Sequence, residues 1–301
     1  MNSLIMLVGI SGSGKSTLAK ELQKNNDNTV IVSSDAVRAE LLGDENDQSR
    51  NGEVFNEVHK RIVSFLKEGK DVIYDATNLS YKRRTNFLKT ISHLNVHKKC
   101  IIVLSSYETC VNNQNLRDRK VPSEVIKKQI KQFQCPYWYE GWDDIRIYSN
   151  DNVPLAWFME QNKIQHDNAN HVLDVFHHMT KARNLYRYIT DESSYDRLVE
   201  KAVLYHDIGK FFCKEFKTKD GAPDKEAHYY NHHNAGAYFY LLDLNNRIQD
   251  GLNGALYTAI LIQWHMEYYL RDEKGMDKLF DMLGLGYSDL EIVHNCDVLA
   301  K

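Results

Sequence analysis

The segment Gly9-Ile10-Ser11-Gly12-Ser13-Gly14-Lys15-Ser16 limits the possible folds of this chain more than any other stretch. It has the spacing of a phosphate-binding loop and lies between an apolar run (residues 4–8) and an amphipathic stretch (residues 16–23), the strand–loop–helix setting that the motif requires. We expect Lys15 to contact the β and γ phosphates of a nucleotide and Ser16 to bind Mg²⁺. The full set expected to hold the nucleotide is Gly9, Ser11, Gly12, Ser13, Gly14, Lys15, Ser16 and Thr17.

The physical basis of this expectation is a backbone that can curl around an anion. Glycines at three positions allow the N–H groups to face inward, and the following helix adds positive potential at the same point. The alternative is a glycine-rich turn that binds nothing. The combination of strand, complete spacing and helix makes that alternative the weaker one.

Apolar runs alternate with amphipathic stretches throughout the first half of the chain. Val54, Val58 and Ile62, for example, recur at helical spacing. Such alternation predicts parallel βαβ units with helices on both faces of one sheet. The predicted strands are residues 4–8, 29–33, 72–74, 100–104 and 145–148, and the predicted helices are residues 16–23, 53–66, 81–91 and 122–133.

The second half has a different pattern. Residues 149–154 are polar and end in Pro154, which is typical of a linker. Beyond them the strand pattern disappears and only helical periodicity remains, for instance at Val172, Val175, Phe176 and Met179. We therefore predict an α/β domain at residues 1–152 and an all-α domain at residues 153–301.

Composition places the chain among folded globular proteins, since 43% of its residues are apolar and 26% are charged. The formal net charge of −3 means that any nucleic-acid contact must come from a local basic patch. No apolar run has membrane-spanning length and no signal peptide is evident, so we expect a cytoplasmic protein without a membrane partner. The scattered cysteines are expected to be reduced thiols: Cys100, Cys110, Cys135, Cys213 and Cys296.

Two polar residues follow the second predicted strand. Asp35 and Arg38 are expected at the carboxyl edge of the sheet, where ligands bind in open α/β folds. A carboxylate there can accept the proton of an attacking hydroxyl, and an arginine can hold an anionic substrate. The alternative is a helix-capping aspartate followed by an exposed arginine.

Three motifs together resemble the phage and bacterial 5′-OH polynucleotide kinases over about residues 1–150. They are Asp35-x-x-Arg38, Asp75-Ala76-Thr77-Asn78, and Arg117-Asp118-Arg119-Lys120-Val121-Pro122. The resemblance implies ATP and Mg²⁺ as cofactors, Asp35 as general base for the 5′-hydroxyl, and Arg38 on the neighbouring phosphate. It also implies a transition-state arginine, either Arg117 or Arg119. Asp75, Thr77 and Asn78 would line the site or orient Arg38.

Ten of the thirteen histidines lie from His166 onward, and some of them fall in metal-binding patterns. His178 lies on the inward face of a predicted helix, the pair His206-Asp207 closes a second helix, and Asp297 lies in the last one. Three helices can thus present two imidazoles and two carboxylates to one centre. Mixed nitrogen and oxygen ligation suits a first-row divalent ion that leaves positions open for water.

This pattern resembles the HD phosphohydrolase superfamily over about residues 165–301. The resemblance implies His178, His206, Asp207 and Asp297 as ligands of Mn²⁺, Ni²⁺, Co²⁺ or Zn²⁺, with Asp207 as a catalytic residue. It further implies that His232 and His265 bind a second metal or the substrate phosphate, and that Lys210 holds phosphate. The neighbouring histidines His177 and His233 fit surface positions better, and His171 is a weaker candidate for the pocket.

Together the two resemblances favour an enzyme that heals broken nucleic-acid ends, RNA or DNA, in preparation for a separate ligase. The first domain would phosphorylate 5′-OH ends, and the second would open or remove 2′,3′-cyclic, 2′- or 3′-phosphates. Lys127, Lys128 and Lys131 form either a backbone-binding stripe or a solvated helix face. Two alternatives remain open: a nucleoside or nucleotide kinase joined to a nucleotidase or phosphodiesterase, and a nucleotide-gated sensor with a non-catalytic second half. The oligomeric state is also open.

Overall fold

The computed structural model describes residues 1–116, 120–169, 172–284 and 287–301. These residues form two compact units, one of residues 1–126 with 136–151 and one of residues 127–135 with 152–301. Residues 127–135, which the sequence pattern assigned to the first domain, group with the second unit.

A five-stranded parallel sheet organises the first unit. Its strand order is β2-β3-β1-β4-β5, so the strand that leads into the glycine-rich loop is central. Parallel strands end at the same edge, and that edge collects the segments that follow β1, β2 and β3. The predicted parallel sheet is confirmed. The strands are β1 (Ser3–Val8), β2 (Thr29–Ser33), β3 (Asp71–Asp75), β4 (His97–Leu104) and β5 (Asp144–Ser149).

Helices cover this sheet. Leu18 and Ala19 of the first helix are buried together with Leu7, Ile73 and Val103 of the strands, and this cluster fixes the start of that helix against the sheet. The helices are α1 (Lys15–Lys24), α2 (Ser34–Leu42), α3 (Asn51–Lys67), α4 (Tyr81–Thr90), α5 (Tyr107–Asn115) and α6 (Ser123–Lys131), of which the last continues into the second unit.

Two of these helices, α2 and α5, have no counterpart among the predicted elements. The buried side chains of α2 are Ser34, Val37 and Arg38, and those of α5 are Cys110 and Gln114. Because mostly polar residues face the interior, neither helix shows the apolar repeat from which the others could be predicted.

The second unit is mainly helical. Helix α12 has a break at Gly251, where φ is 68°. None of the described helices combines the length and the apolar composition needed to cross a bilayer. The helices are α7 (Leu155–Gln161), α8 (Val175–Ile189), α9 (Arg197–Tyr205), α10 (Lys210–Cys213), α11 (His232–Leu242), α12 (Leu244–Trp264), α13 (Glu267–Leu270), α14 (Glu273–Leu283) and α15 (Tyr287–Leu299).

An antiparallel hairpin departs from the all-α expectation for the second unit. It consists of β6 (Glu215–Lys217) and β7 (Pro223–His228). Most of its residues are exposed and polar, and Ala227 is the only fully buried one. A strand that buries almost nothing lacks the alternation by which strands are predicted.

A buried ion pair fixes the loop after β3 in the first unit. Arg84 on α4 donates to both carboxylate oxygens of Glu140, at 2.6 and 2.8 Å. It also donates to the carbonyl oxygens of Asn78 at 2.9 Å and Leu79 at 3.0 Å. The side chains of Arg84 and Glu140 are only 1% and 0% exposed, so the loop is held by a charge pair screened from water.

We expect the substitution Arg84→Met to destabilise the first unit by about 3–5 kcal/mol, because it leaves the Glu140 carboxylate buried without its partner. Equilibrium urea unfolding measures this change. Arg50→Met is the matched control, since Arg50 pairs with Glu53 on the surface and its loss is expected to cost less than about 1 kcal/mol. Equal effects of the two substitutions would contradict a buried role for Arg84.

Candidate phosphate-binding site and candidate metal centre

The glycine-rich loop runs from the end of β1 into the first turn of α1. Gly14 is the residue before the helix and has φ 95°, a conformation that side chains other than glycine rarely adopt. At Gly9 a Cβ atom would lie 2.4 Å from the carbonyl oxygen of Val103. These positions need glycine because of backbone conformation and close packing, independently of any bound nucleotide.

Side-chain amides hold the carbonyl groups of this loop. Asn113 donates to the carbonyl oxygen of Gly12 at 2.9 Å, and Asn150 donates to that of Ser13 at 2.5 Å. Lys15 is buried and its Nζ donates to the carbonyl oxygen of Ile10 at 2.7 Å, so the ammonium group folds back over the loop. This arrangement keeps a positive charge above the curled backbone, as an anion site requires.

Asp35 and Arg38 lie in the first turns of α2, directly after β2. Arg38 Nη1 donates to Asp35 Oδ1 at 2.9 Å, and Arg38 Nη2 donates to Asn51 Oδ1 at 3.1 Å. The arginine side chain is only 5% exposed, while that of Asp35 is 47% exposed. Ser33 caps the helix, so the alternative of a capping aspartate followed by an exposed arginine does not describe this pair.

The segment after β3 meets the phosphate loop. Asp75 ends β3 opposite Ser33 of β2, and it is buried. The carbonyl oxygen of Thr77 accepts from the N–H of Gly9 at 3.0 Å, and Asn78 Nδ2 donates to the carbonyl oxygen of Leu7 at 2.9 Å. The segments that carry the predicted residues of β2 and β3 thus reach the edge of the sheet that carries the loop. Arg117 and Arg119 lie outside the described residues.

In the second unit, four predicted ligands converge. His178 comes from α8, His206 and Asp207 from the end of α9, and Asp297 from α15, and all four are buried. His178 Nε2 lies 2.9 Å from Asp297 Oδ1 and 3.2 Å from His206 Nε2. Asp207 Oδ2 lies 3.5 Å from His178 Nε2 and 3.3 Å from His206 Nε2.

Asp207 also belongs to a second group, through its other oxygen. Its Oδ1 lies 3.0 Å from His232 Nε2 and 3.9 Å from His265 Nε2, and the two imidazole nitrogens are 3.3 Å apart. The turn after Asp207 can pack this close to His232 because residue 209 is glycine. A Cβ atom at Gly209 would lie 2.1 Å from the carbonyl oxygen of His232. One carboxylate therefore faces two sets of ligand atoms.

Backbone carbonyls fix which ring nitrogen of these histidines can bind a metal. The Nδ1 atoms of His206, His232 and His265 lie 2.7–2.8 Å from the carbonyl oxygens three residues earlier. A carbonyl oxygen only accepts, so each Nδ1 carries the hydrogen and each Nε2 of a neutral ring has a free lone pair. All three lone pairs are directed to the region around Asp207.

The donor set fits a divalent ion. Two imidazole nitrogens at 3.2 Å, as in His178 and His206, repel each other unless a proton or a cation lies between them. Ligands at about 2.1 Å from a common ion would be separated by roughly 3.0–3.4 Å. The contacts of His178 and His206 with each other and with the two carboxylates, at 2.9–3.5 Å, lie close to that range.

The charges of the cluster are strongly coupled. Burial alone would raise the pKa of Asp207, but Lys210 and His206 hold it well below its usual range. Burial likewise opposes protonation of His206, yet Asp207 and Asp297 raise the pKa of this imidazole to about 10. Burial would also raise the pKa of Asp297, but His178 and His206 hold it well below its usual range. Both carboxylates are therefore ionised at neutral pH, and His206 and Lys210 supply compensating positive charge.

Lys210, predicted to hold phosphate, lies at the cluster with its Nζ 2.6 Å from Asp207 Oδ2. Two further residues there were missed by the sequence reasoning. His166 is 1% exposed, with Nε2 3.2 Å from Lys210 Nζ, and Tyr269 donates its hydroxyl to Asp297 Oδ2 at 2.9 Å. His166 lies in an irregular segment before α8, where no periodicity marks it as inward-facing.

The neighbouring histidines lie apart from the ligand groups. His177 has a 63% exposed side chain and pairs with the helix-capping Asp174. His233 is half-buried and belongs to neither group of potential ligands among the described residues. His171 lies outside the described residues.

Comparison with known proteins supports the interpretation of the first unit. Residues 4–136 match the AAA_33 family model, which is described as an AAA domain. The first unit is similar to that domain. Its central strand, its glycine-rich loop, and the segments carrying Asp35, Arg38 and Asp75 all lie within the matched residues.

Two curated relatives each match half of the chain or less. One, from Autographa californica nuclear polyhedrosis virus, is named as a bifunctional polynucleotide kinase/RNA ligase and is 31% identical over 43% of this chain and 20% of its own length. The other, the L-seryl-tRNA(Sec) kinase of Methanococcus maripaludis, is 25% identical over 50% of this chain and 60% of its own length. The chain thus spans less than two thirds of either relative.

Among solved structures, a chain of the Pnkp1/Rnl/Hen1 RNA repair complex is 27% identical to this one. The alignment covers 44% of this chain and 43% of that chain, with a TM-score of 0.40.

We expect the affinity of the second unit for Mn²⁺ to rise about tenfold per pH unit between pH 6 and 8. With a pKa of about 10, His206 keeps its proton in this range, and an ion that binds its Nε2 must displace that proton. Isothermal titration calorimetry at three pH values, in buffers of different ionisation enthalpy, measures both the affinity and the proton release. The control His177→Ala should show the same slope, and a pH-independent affinity would contradict the expected displacement.

Proposed function

We propose that the first unit is an ATP-dependent kinase for the 5′-hydroxyl ends of nucleic acid, with RNA as the favoured polymer. The observation that carries this proposal is the accessible Asp35 carboxylate, which is paired with the buried Arg38 guanidinium. Both residues follow β2, at the edge of the sheet where the phosphate loop lies. Both curated relatives carry the word kinase in their names together with an RNA activity or an RNA-linked substrate, which supports the same choice.

The chemistry follows from these positions. Asp35 would accept the proton of the 5′-hydroxyl while the hydroxyl oxygen forms a bond to the γ-phosphorus and the bond between that phosphorus and the β–γ bridging oxygen breaks, releasing ADP. Arg38 would hold the phosphate next to the hydroxyl, and Lys15 would neutralise charge on the β and γ phosphates. Mg²⁺, held through Ser16, would neutralise the remaining phosphate charge. We assign the transition-state arginine to Arg117 or Arg119.

A group of aromatic and basic residues at the start of α4, the helix that follows the segment after β3, supports a polymeric substrate. The ring of Tyr139 lies 5.6 Å from that of Tyr81 and 5.4 Å from that of Tyr137, and the exposed Lys82 and Arg83 follow Tyr81 on α4. Single strands bind by stacking bases on aromatic rings and placing phosphates near cations. A free nucleoside would use little of such a surface.

We expect Asp35→Asn to lower kcat for phosphorylation of a 5′-OH oligoribonucleotide by about 10²–10⁴-fold, because the general base is lost. The KM for ATP should change little, since the phosphate loop is intact. Transfer of ³²P from ATP in the presence of Mg²⁺ measures both constants. The matched control is Asp27→Asn. Asp27 is exposed and precedes β2, so it lies at the opposite end of the strand from Asp35.

The same assay separates polymer from monomer substrates in the wild-type protein. Transfer to oligonucleotides, with weak or no transfer to free nucleosides, is the expected result. Transfer to nucleosides and none to oligonucleotides would replace this proposal by the nucleoside-kinase alternative. Comparing RNA and DNA oligonucleotides of one sequence tests the preference for RNA.

We further propose that the second unit is an HD-type metal phosphohydrolase that opens or removes 2′,3′-cyclic, 2′- or 3′-phosphates. Its support is the set of Nε2 and carboxylate atoms around Asp207, which suits Mn²⁺, Ni²⁺, Co²⁺ or Zn²⁺. Such an ion would lower the pKa of water and polarise a phosphoryl oxygen. Lys210 would bind the substrate phosphate, and His232 and His265 would bind either that phosphate or a second ion.

In the wild-type protein with Mn²⁺ or Ni²⁺ we expect release of phosphate from 2′- or 3′-phosphorylated RNA ends. Asp207→Ala should abolish it, because this residue belongs to both ligand groups, while phosphorylation of 5′-OH ends persists. Malachite-green and ³²P-transfer assays on the same preparations compare the two activities, with the exposed His177→Ala as control. Loss of both activities would show that the units do not act independently or that the variant is misfolded.

Together these activities would prepare both ends of a broken strand, RNA or DNA, for a separate ligase. A complete ligand set and an intact Lys15-Ser16 pair disfavour the nucleotide-gated sensor, whose second half would bind without cleaving. The other alternative, a nucleoside or nucleotide kinase joined to a nucleotidase or phosphodiesterase, predicts cleavage of free nucleotides in preference to polymer ends.

A further inference from the structure

We propose that His166 is a positioning residue that holds the Lys210 ammonium group in place to receive a phosphoryl oxygen. This inference rests on the proposed phosphohydrolase function of the second unit. It concerns a residue outside both ligand groups, and it states how the phosphate-binding lysine is oriented.

The ring of His166 can act only as an acceptor toward Lys210. Its Nδ1 lies 2.7 Å from the carbonyl oxygen of Leu173, so Nδ1 carries the hydrogen. Its Nε2 therefore presents a lone pair, and Lys210 Nζ lies 3.2 Å from it. His166 is 1% exposed, which leaves almost no room for water to replace the lysine as donor.

Among the described residues, three groups lie next to the lysine ammonium. Besides His166, Asp207 Oδ2 lies 2.6 Å from Nζ, and the ring of Tyr229 has its centroid 5.4 Å from it. Tyr229 is itself tied to the histidine, because its hydroxyl donates to the carbonyl oxygen of His166. His166 thus acts on Lys210 in two ways. Its ring contacts the ammonium group directly through Nε2, and its backbone carbonyl positions Tyr229 beside the same group.

The carboxylate contact alone would not keep the lysine in place. Asp207 Oδ2 also faces His206 Nε2 at 3.3 Å and His178 Nε2 at 3.5 Å, so it is the oxygen that the first ligand group would use. An oxygen bound to a divalent ion is a weaker acceptor for a neighbouring ammonium group. His166 Nε2 is then the acceptor that holds Lys210, and the ammonium group can direct its other N–H groups to the substrate.

The test variants separate the roles of the two nitrogens of the His166 ring. His166→Asn retains an amide near Nδ1 that can still donate to Leu173, but it removes the acceptor at Nε2. Lys210→Met removes the ammonium group and keeps the aliphatic stem. The double variant shows whether the histidine acts through the lysine. His177→Asn, on the exposed side of α8, is the matched control.

The measurement is the Kd of the Mn²⁺-loaded protein for inorganic phosphate, by calorimetry, together with the Mn²⁺ content of each variant. We expect His166→Asn to weaken phosphate binding about tenfold, as for one hydrogen bond to a charged group, with the Mn²⁺ content unchanged. Lys210→Met should weaken it at least as much. The double variant should match Lys210→Met, because a histidine that acts only through the lysine has nothing left to position.

Three results would overturn this role: unchanged phosphate affinity in His166→Asn, additive losses in the double variant, or loss of Mn²⁺ from His166→Asn. His166→Gln, whose amide reaches closer to the Nε2 position, should recover part of the affinity if the acceptor is what matters. A wild-type protein that binds none of Mn²⁺, Ni²⁺, Co²⁺ and Zn²⁺ would refute the proposed phosphohydrolase itself. If only the proposed role of His166 is wrong, the wild-type protein still binds metal and still releases phosphate.

Discussion

Three histidines in the second unit each form the same type of local hydrogen bond, and the geometry of the candidate metal centre depends on these bonds. In His206, His232 and His265 the ring Nδ1 is paired with the backbone carbonyl three residues earlier. The contact is available wherever the backbone turns just before the histidine, as at the ends of α9 and α12 and at the start of α11, and it needs no distant partner. It fixes the tautomer and the direction of each ring before any long-range packing is considered, so helix packing has only to bring three short segments together.

In the first unit the corresponding constraint is the parallel sheet. Its strands deliver the glycine-rich loop, the Asp35–Arg38 pair and the segment after Asp75 to one edge, and the buried Arg84–Glu140 pair fixes the last of these. Both units therefore build their sites from the ends of regular elements. In the described part of the chain, Lys15, Arg38 and Lys210 are each held by a backbone carbonyl or by a neighbouring side chain.

Much of this could be predicted from the sequence where function imposes a fixed spacing. The phosphate loop has one such spacing, and the predicted parallel sheet was confirmed. The four residues of the proposed metal centre lie together. Prediction from the sequence failed where packing alone decides the contacts. Asn51 contacts Arg38 from another helix, and His166 lies in an irregular segment. The β6–β7 hairpin was not predicted because it buries almost nothing. Such residues carry no periodic signal, because a single contact across the fold decides their position.

Gly209 shows how little space separates the parts of the second unit. Any side chain there would collide with the carbonyl oxygen of His232 and with the backbone nitrogen of Gly236. A single added methyl group would act as a wedge between the first turn of α11 and the turn that carries Asp207, and would move the second set of imidazoles away from the shared carboxylate. Evolution of this site is therefore restricted at a position that has no chemistry of its own.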